Sequence, residues 1–372
     1  MVDDDGRAAP DDCESRTRTY GHIQDALDDA RPGDRISVCP GRYREALQIG
    51  PHADDVYLAT EFSFRAVLEP PPTDHRPAVD IRGVTRFEMR GFKVRPAGQT
   101  GPVTIGGMRI PGTTVCSPAP VAIRIRDSSD VTIRGDRIAA GPVCGYRVGI
   151  DIERSQASVI TDKVTDFLGR GVVAGPGSDV TITATAVRFL HTAREQALPG
   201  STLDAEAAGV VLDRVDRAAL RTVSVFTRLP DDPDDLPSLL WAGIVIIDAK
   251  GPVTIRGDSQ VTRTWRFGIR VVGSDHVSIL NTIVRYGLGD GYFLDELAGA
   301  RIVGDDSKGN VTGIRLGPAT TGVLVDHLRA THSGVIDCVD ASVGDGTAGT
   351  ANTWRHAQGR SSEPSGICIP AG

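Results

Sequence analysis

Lysine, aromatic side chains and long apolar runs are all scarce in this chain of 372 residues. Lysine occurs four times among 41 basic residues, and phenylalanine, tryptophan and tyrosine together make up 5% of the sequence. No apolar run reaches the roughly 20 residues that a membrane-spanning helix needs. The formal net charge is −7, which disfavours a global field that attracts nucleic acid. We therefore expect no membrane insertion and no nucleic-acid partner.

Several signatures of catalytic and metal sites are also missing. The sequence has no phosphate-binding loop, no nucleophile elbow and no basic-aromatic pattern. The cysteines form no CxxC pair and do not cluster with histidine, so a zinc site is not predicted. Asp231, Asp232, Asp234 and Asp235 lack the regular spacing of a calcium loop. We predict no cofactor.

What the chain does contain is a repeat. Segments 251–272, 274–295 and 297–317 each carry two short alternating apolar runs and a glycine followed by a bulky apolar residue. This glycine recurs at intervals of 22, 38, 34, 25, 23 and 22 residues, at Gly149, Gly171, Gly209, Gly243, Gly268, Gly291 and Gly313. A unit near 22 residues that alternates every second position is too short for a helical solenoid and is typical of a parallel β-helix.

The repeat also predicts which side chains are buried. In stacked coils, alternate residues point inward and form columns along the axis, while their neighbours face water. The predicted inward residues are Ile125, Ile150, Ile152, Val210, Leu212, Ile244, Ile246, Ile269, Val271, Leu294, Ile314 and Leu316. Because the repeat leaves no obvious boundary, we expect an acidic leader at 1–19 and a single domain over 20–372, with its C-terminal cap and tail at 336–372.

The segment 20–50 is expected to cap the first coil. Ile23, Ala26, Leu27 and Ala30 share one face of a short predicted helix that ends at Pro32-Gly33, and the first strand begins at 36–38. A helix in this place covers a strand edge that would otherwise be unpaired.

This cap resembles a known family. The order IQDAL…ARPGDRISVCPGRYREAL looks like the N-terminal cap of right-handed β-helix proteins of the pectin lyase-like superfamily, and GTANTWRHAQGRSSEPSGIC is similar to the ending of secreted bacterial members. The resemblance implies an all-β, single-stranded right-handed parallel β-helix with a short N-terminal helix. It leaves activity open, because the superfamily includes polysaccharide lyases, hydrolases, epimerases, esterases and non-catalytic binders.

Individual catalytic motifs of the superfamily do not carry over. Gly41-Arg42-Tyr43-Arg44-Glu45 matches the GxYxE opening of pectin methylesterases, but the later aspartate-bearing motifs of that family do not follow. The NTD, DD and GHG set of polygalacturonases and the DPHD signature of alginate epimerases are missing as well. No catalytic residue is therefore assigned from the resemblance.

Six cysteines fall into three local pairs. An even number without metal-ligand spacing predicts disulfides. Of the 15 connectivities that six cysteines allow, we expect the local ones, because adjacent coils bring such positions together: Cys13–Cys39, Cys116–Cys144 and Cys338–Cys368. Disulfides imply an oxidising compartment, so we expect a secreted protein whose signal peptide has been removed. The alternative is a cytoplasmic protein with six buried thiols.

Candidate catalytic residues lie on the outward face of the early coils. The places two and four residues after each repeat glycine point outward, and charge concentrates there. Insertions at 96–120, 190–208 and 227–241 are expected to wall a groove over this face. Glu153 and Asp213 are two coils apart, about 9–10 Å, near the upper limit for an inverting glycosidase. The charged candidates are Arg124, Arg126, Asp151, Glu153 and Asp213.

These residues support a polysaccharide-active enzyme of two possible kinds. In a hydrolase, Glu153 protonates the leaving oxygen and Asp213 activates water. In a lyase, Arg124 or Arg126 neutralises a uronate carboxylate while His191 removes the C5 proton. The alternative for the charges is a ladder of exposed ion pairs that solvates the sheet.

Further candidates would contact substrate without reacting. His191, Arg194 and Glu195 share one side of a predicted loop helix. Trp241, Trp265 and Tyr292 are candidates for stacking on sugar rings, and Arg270 points outward from a later coil. Two other functions stay open on the same scaffold, a non-catalytic glycan- or surface-binding protein and a biosynthetic isomerase or cyclase.

Overall fold

The chain is mainly β-structure in the computed structural model, with one short α-helix. The structure describes residues 1–3, 20–71, 74–97, 121–139, 146–165, 167, 169–189, 207–227 and 240–370, and the backbone alone of 99–100, 103–105, 108–110 and 114–115. These residues belong to two compact units. Unit 1 is Met1–Val173, and unit 2 is Ala174–Phe189, Ala205–Leu229 and Pro237–Gly372.

In unit 1, short strands are grouped into parallel sheets named here A, B and C. Strands β1, β4, β7, β14 and β17 form sheet A, strands β2, β5, β8, β15 and β18 form sheet B, and strands β3, β6, β13 and β16 belong to sheet C. Two further pairs within 99–115, β9 with β12 and β10 with β11, are antiparallel. The strand bounds are β1 Arg35–Val38, β2 Gly41–Tyr43, β3 Leu47–Ile49, β4 Tyr57–Thr60, β5 Ala66–Leu68, β6 Val79–Arg82, β7 Glu88–Arg90, β8 Lys93–Val94, β9 Gln99–Thr100, β10 Val103–Ile105, β11 Met108–Ile110, β12 Thr114–Val115, β13 Val121–Arg126, β14 Val131–Arg134, β15 Arg137–Ala139, β16 Val148–Glu153, β17 Gln156–Ile160, β18 Lys163–Thr165 and β19 Arg170–Ala174.

In unit 2 the same order of strands repeats. Sheet A contains β20, β23, β26, β29, β32, β35 and β38, sheet B contains β21, β24, β27, β30, β33 and β36, and sheet C contains β22, β25, β28, β31, β34, β37 and β39. The bounds are β20 Asp179–Thr183, β21 Ala186–Phe189, β22 Ala208–Asp213, β23 Arg217–Arg221, β24 Ser224–Thr227, β25 Leu240–Ile247, β26 Val253–Arg256, β27 Gln260–Thr262, β28 Thr264–Val272, β29 Val277–Leu280, β30 Ile283–Arg285, β31 Asp290–Asp295, β32 Arg301–Val303, β33 Asp306–Lys308, β34 Thr312–Leu316, β35 Leu324–Asp326, β36 Arg329–Thr331, β37 Ile336–Asp340, β38 Thr353–Arg355 and β39 Ser362–Glu363.

Apart from the last coil of the described chain, which has no strand in sheet B, the coils pass in turn through sheets A, B and C. This is the parallel β-helix that the repeat predicts. The predicted inward residues confirm it, because each of the twelve exposes 1% or less of its surface. The prediction that their neighbours face water is wrong at Val211 and Val245. These side chains are 7% and 3% exposed although they alternate with the inward column. The expectation of a single domain over 20–372 stays a prediction.

The repeat glycines mark the place where the chain enters sheet C. A Cβ atom on Gly149 would lie 2.5 Å from the carbonyl oxygen of Gly171 on the next coil, and one on Gly268 would lie 2.5 Å from that of Gly291. Real Cβ contacts are not that short. The period found in the sequence is therefore set by close backbone approach between successive coils.

The predicted capping helix is present as α1, Ile23–Asp28, with Ile23, Ala26 and Leu27 buried. Its first backbone N–H groups have no partner within the helix. The Glu45 carboxylate accepts from Ile23 N at 2.8 Å and from Gln24 N at 2.9 Å. Glu45 closes the GRYRE motif, so in this chain that motif serves the cap. Two 3₁₀ turns, Pro51–Ala53 and Thr347–Gly349, complete the helical structure of the described residues.

One of the three predicted disulfides is confirmed, Cys338–Cys368. Cys39 is also disulfide-bonded. Cys13, Cys116 and Cys144 lie outside the described residues, so the pairs that involve them stay predictions. Disulfides persist in oxidising compartments, which indicates a location outside the cytoplasm. Among the described residues no helix is long and apolar enough to cross a membrane.

Candidate active-site face

Sheet C of unit 1 carries two columns of charge on its outward face. Three strands pair in register, β6 with β13 and β13 with β16. Since every second residue of a strand points to the same face, the residues that stand opposite one another line up across the sheet. One column is Asp80, Arg124 and Asp151, and the other is Arg82, Arg126 and Glu153. We call these six residues the charge ladder.

Ion pairs connect the rungs of the charge ladder. Arg124 Nε lies 3.4 Å from Asp151 Oδ2, and Arg126 Nε lies 3.0 Å from Glu153 Oε2. Arg126 also reaches Asp151, at 4.0 Å, and the other oxygen of Glu153 accepts from Arg154 Nη1 at 2.6 Å. The four ladder residues in these pairs are between 22% and 30% exposed. The structure therefore contains ion pairs of the kind predicted as the non-catalytic alternative, at Arg124–Asp151 and Arg126–Glu153.

The charge ladder nevertheless leaves hydrogen-bonding capacity unused. The Nε atoms of Arg124 and Arg126 and the Oδ1 atom of Asp80 are buried and have no partner with hydrogen-bond geometry. At Arg126 the 3.0 Å contact is close enough for an ion pair but is not aligned as a hydrogen bond. Most buried polar groups are satisfied in folded proteins. Because these three atoms are enclosed, polar contacts to a ligand must come from the exposed parts of the same face, where the Arg124 and Arg126 side chains are 22% and 28% exposed.

Asp213, the partner proposed for Glu153, lies in unit 2 at the end of β22. Its two oxygens accept from the guanidinium of the adjacent Arg214, at 3.0 Å and 2.9 Å. Glu153 belongs to unit 1, so the predicted separation of the two carboxylates stays a prediction. His191, Arg194 and Glu195 lie outside the described residues, as does the acidic turn at 231–235.

Sheet C of unit 2 carries an aromatic group. Trp241 and Phe267 meet edge to face with ring centroids 5.2 Å apart, and Phe267 lies 5.0 Å from Phe293. The Arg270 guanidinium lies 5.4 Å from the Trp241 ring centroid and 5.7 Å from that of Phe267. The predicted binding residues Trp241 and Arg270 are therefore brought together. We call these four residues the aromatic platform.

The prediction for Tyr292 is wrong. Its side chain is fully buried, and its hydroxyl lies 2.9 Å from Thr282 Oγ1. Tyr292 directly follows a repeat glycine, which is an inward position, so it cannot contact a ligand on the outward face. Trp265, in contrast, is 59% exposed.

Sequence reasoning missed two members of the charge ladder and two of the aromatic platform. Asp80 and Arg82 lie two coils before the first repeat glycine, whereas the outward positions were predicted back to only one coil before it, at Arg124 and Arg126. Apolar and charged residues alternate in VDIR (79–82) as they do in IRIR (123–126). This match is the sequence signal that identifies Asp80 and Arg82 as outward residues. Phe267 lies directly before the repeat glycine Gly268, whereas the outward positions were predicted only for places after each glycine.

The fold has known structural neighbours, although no protein-family model and no curated protein matches the sequence. A periplasmic alginate epimerase, in a mutant form, superposes with a TM-score of 0.51 at 10% identity, covering 91% of this chain and 83% of that one. A mannuronan C-5 epimerase module from Azotobacter vinelandii gives 0.48 at 14% identity and 91% of each chain. A pectate lyase gives 0.48 at 11% identity, covering 80% of this chain and 71% of that one. The likeness to the alginate epimerase shows that this chain has the right-handed parallel β-helix of the pectin lyase-like fold.

Proposed function

We propose that the protein is a secreted polysaccharide-active enzyme that holds an extended, uronate-containing glycan along the outward face of sheet C in unit 1. The observation that carries the proposal is the charge ladder, in which carboxylates on the next strand hold two partly exposed guanidinium groups on the outward face. Guanidinium groups are suited to carboxylates because they offer several N–H donors in a planar fork. The strands of the ladder repeat at about 4.8 Å, which suits a regular polymer.

In the lyase version, Arg124 or Arg126 pairs with the uronate carboxylate of the substrate. Neutralising this carboxylate favours removal of the neighbouring C5 proton by a base. The C4–C5 double bond then forms as the C4–O bond breaks, and the departing sugar oxygen takes a proton from water, which leaves an unsaturated uronate. His191 remains the proposed base. Asp151 and Glu153 hold the guanidinium groups in place, since each arginine is fixed by a carboxylate on the next strand.

In the hydrolase version, Glu153 protonates the leaving oxygen and a second carboxylate activates water. This version needs Glu153 to exchange its partners Arg126 and Arg154 for the substrate oxygen. The lyase version needs only that an arginine of the charge ladder forms an ion pair with one more carboxylate. The paired state of Glu153 therefore favours elimination over hydrolysis.

The experiment is a product analysis with purified protein on alginate, polygalacturonate and a neutral glucan. Elimination gives new chain ends that absorb in the ultraviolet, whereas hydrolysis gives new reducing ends without that absorbance. We expect ultraviolet-absorbing products from a uronate polymer. No product from any of the three polymers would contradict the enzyme proposal.

A second function, glycan binding without catalysis, is favoured by the aromatic platform of unit 2. Aromatic rings next to an arginine are well suited to sugar faces and acidic groups. In that case a uronate polymer would bind without turnover, and Trp241→Ala would weaken the binding. A glycan retained on affinity electrophoresis with no product would support this function over the first.

A further inference from the structure

Two histidines stack at one turn of unit 2, away from sheet C. His327 follows β35 and His356 follows β38, and these strands pair in register with Asp326 opposite Arg355. Both histidines have a left-handed backbone, with φ of 53° and 51°, so they occupy the same place on successive coils. Their ring centroids are 4.5 Å apart. The register of sheet A therefore fixes the two imidazoles side by side.

The carboxylate of Asp326 joins them. Its Oδ1 atom lies 2.8 Å from His327 Nδ1 and 3.0 Å from His356 Nδ1. Within the described part of the chain, this is the group of three potential metal ligands whose donor atoms all lie within 4.8 Å of one another. Asp326 is about a quarter exposed, and both histidines are more exposed than that. A cation from solvent can reach all three.

The donor types indicate which cation fits. Imidazole nitrogen with one carboxylate is a ligand set for zinc and its first-row neighbours, whereas calcium takes six to eight oxygen ligands. Three protein ligands also leave at least one position for water or another ligand. The present contacts between Asp326 and the two rings occupy the same donor atoms that a bound ion would use.

The left-handed backbone places the two histidines equivalently on successive coils but does not by itself select histidine. Outside glycine this conformation is uncommon, and asparagine, aspartate and histidine adopt it more readily than other side chains. The matching turns of earlier coils in unit 2 carry Ala184, Thr222, Asn281 and Gly304. What distinguishes the last two turns is therefore the pair of imidazoles on either side of the Asp326 carboxylate.

The cluster adjoins a groove. His327 lines a cavity of about 430 Å³ together with Asp258, Asn281, Asp306 and Arg329. A ligand in this groove would meet carboxylates, an amide and one guanidinium next to His327. An open coordination position at the cluster is therefore accessible to a small polar molecule.

We propose that Asp326, His327 and His356 bind one divalent first-row transition metal ion of the zinc type, with an open coordination position beside this groove. The proposal is independent of any activity on polysaccharide, because it concerns sheet A of unit 2 and is read out by metal binding alone.

The test is a titration of the metal-stripped, untagged full chain with Co²⁺. Binding is measured by calorimetry and by visible absorption. We expect one equivalent per chain with ligand-field bands. His327→Asn and His356→Asn should each weaken binding by more than about tenfold, and the double variant should abolish it. Asparagine tolerates the left-handed backbone, and thermal unfolding of the metal-free variants checks that they fold.

The matched control is His276→Asn, another exposed left-handed histidine of unit 2, with φ of 59°, and it should bind like the parent chain. Absence of saturable Co²⁺ binding by the parent chain would overturn the proposal, as would unchanged binding by the double variant. If a histidine variant does not fold, Asp326→Asn decides in its place. Undiminished binding by that variant would equally overturn the site.

Discussion

The backbone N–H of Asp136 donates to the carboxylate of Asp162 on the next coil across 2.6 Å. The Asp136 carboxylate in turn accepts from the backbone N–H of Phe92 on the preceding coil, also at 2.6 Å. The second oxygen of each carboxyl is buried without a hydrogen-bond partner. Burial raises the pKa of both Asp136 and Asp162 well above the usual range of an aspartate. These carboxyls are therefore protonated in the folded state and connect successive coils by accepting hydrogen bonds from backbone N–H groups.

Stability should therefore fall as the pH rises from about 4 towards about 8. A carboxyl whose pKa is raised by folding holds its proton in the folded state and has lost it in the unfolded state, so the folded state binds more protons over this window. Asp305 of unit 2 acts in the same direction, because burial raises its pKa to about 7. Urea unfolding at about pH 5 and about pH 8 measures the difference. A higher midpoint at the alkaline pH would contradict this assignment.

Asp136→Asn should stabilise the protein at about pH 8 by about 1–3 kcal/mol. The amide keeps the acceptor that Phe92 N–H requires and cannot become charged. The effect should shrink as the pH falls, because the parent carboxyl is then neutral too. Asp130→Asn, at an exposed residue of unit 1, is the control and should leave the midpoint unchanged. A destabilised Asp136→Asn at every pH would show that the carboxyl is needed for another reason.

The fold could be predicted from sequence because its main signals are local. Gly268 and Gly291 recur where successive backbones touch, and residues such as Ile244 and Ile246 alternate strictly into the core. The site could be predicted only in part. Asp151 was identifiable from its place after Gly149, and Arg124 from the same alternation one coil earlier. The histidines His327 and His356 are separated by 29 residues and meet only through the strand register.

The close approach of the coils predicts a large effect of adding one methyl group. Gly268→Ala would place its Cβ against Val284 and 2.5 Å from the Gly291 carbonyl oxygen. Because backbone cannot rotate away as a flexible side chain can, we expect a loss of at least about 2 kcal/mol in the free energy of unfolding. Gly334→Ala, whose Cβ would lie 3.8 Å from the Cα atom of Val311, is the control. Equal stability of the two variants would rule out close packing as the reason for the repeat glycine.

Removing the C-terminal disulfide should lower stability by about 2–4 kcal/mol. Cys338 and Cys368 are 30 residues apart, and the bond restricts the unfolded chain over that loop. The double variant Cys338→Ser/Cys368→Ser is compared with the oxidised parent chain in urea. Identical midpoints would show that the bond contributes nothing to the C-terminal coils.

The position of the active site is tested most directly by neutralising one member of the charge ladder at a time. On the uronate polymer that the parent chain degrades, Arg126→Gln and Glu153→Gln are compared with Glu88→Gln. Glu88 belongs to an ion pair with Arg134 on sheet A of the same unit, so this variant makes the same change of charge as Glu153→Gln but away from the ladder. Thermal unfolding confirms that all three fold.

If the reaction takes place at the charge ladder, kcat/KM falls by about 10²-fold or more in Arg126→Gln and Glu153→Gln and stays at the parent value in Glu88→Gln. Full turnover in both ladder variants, together with its loss in Arg270→Gln of the aromatic platform, would contradict this location and place the reaction on unit 2.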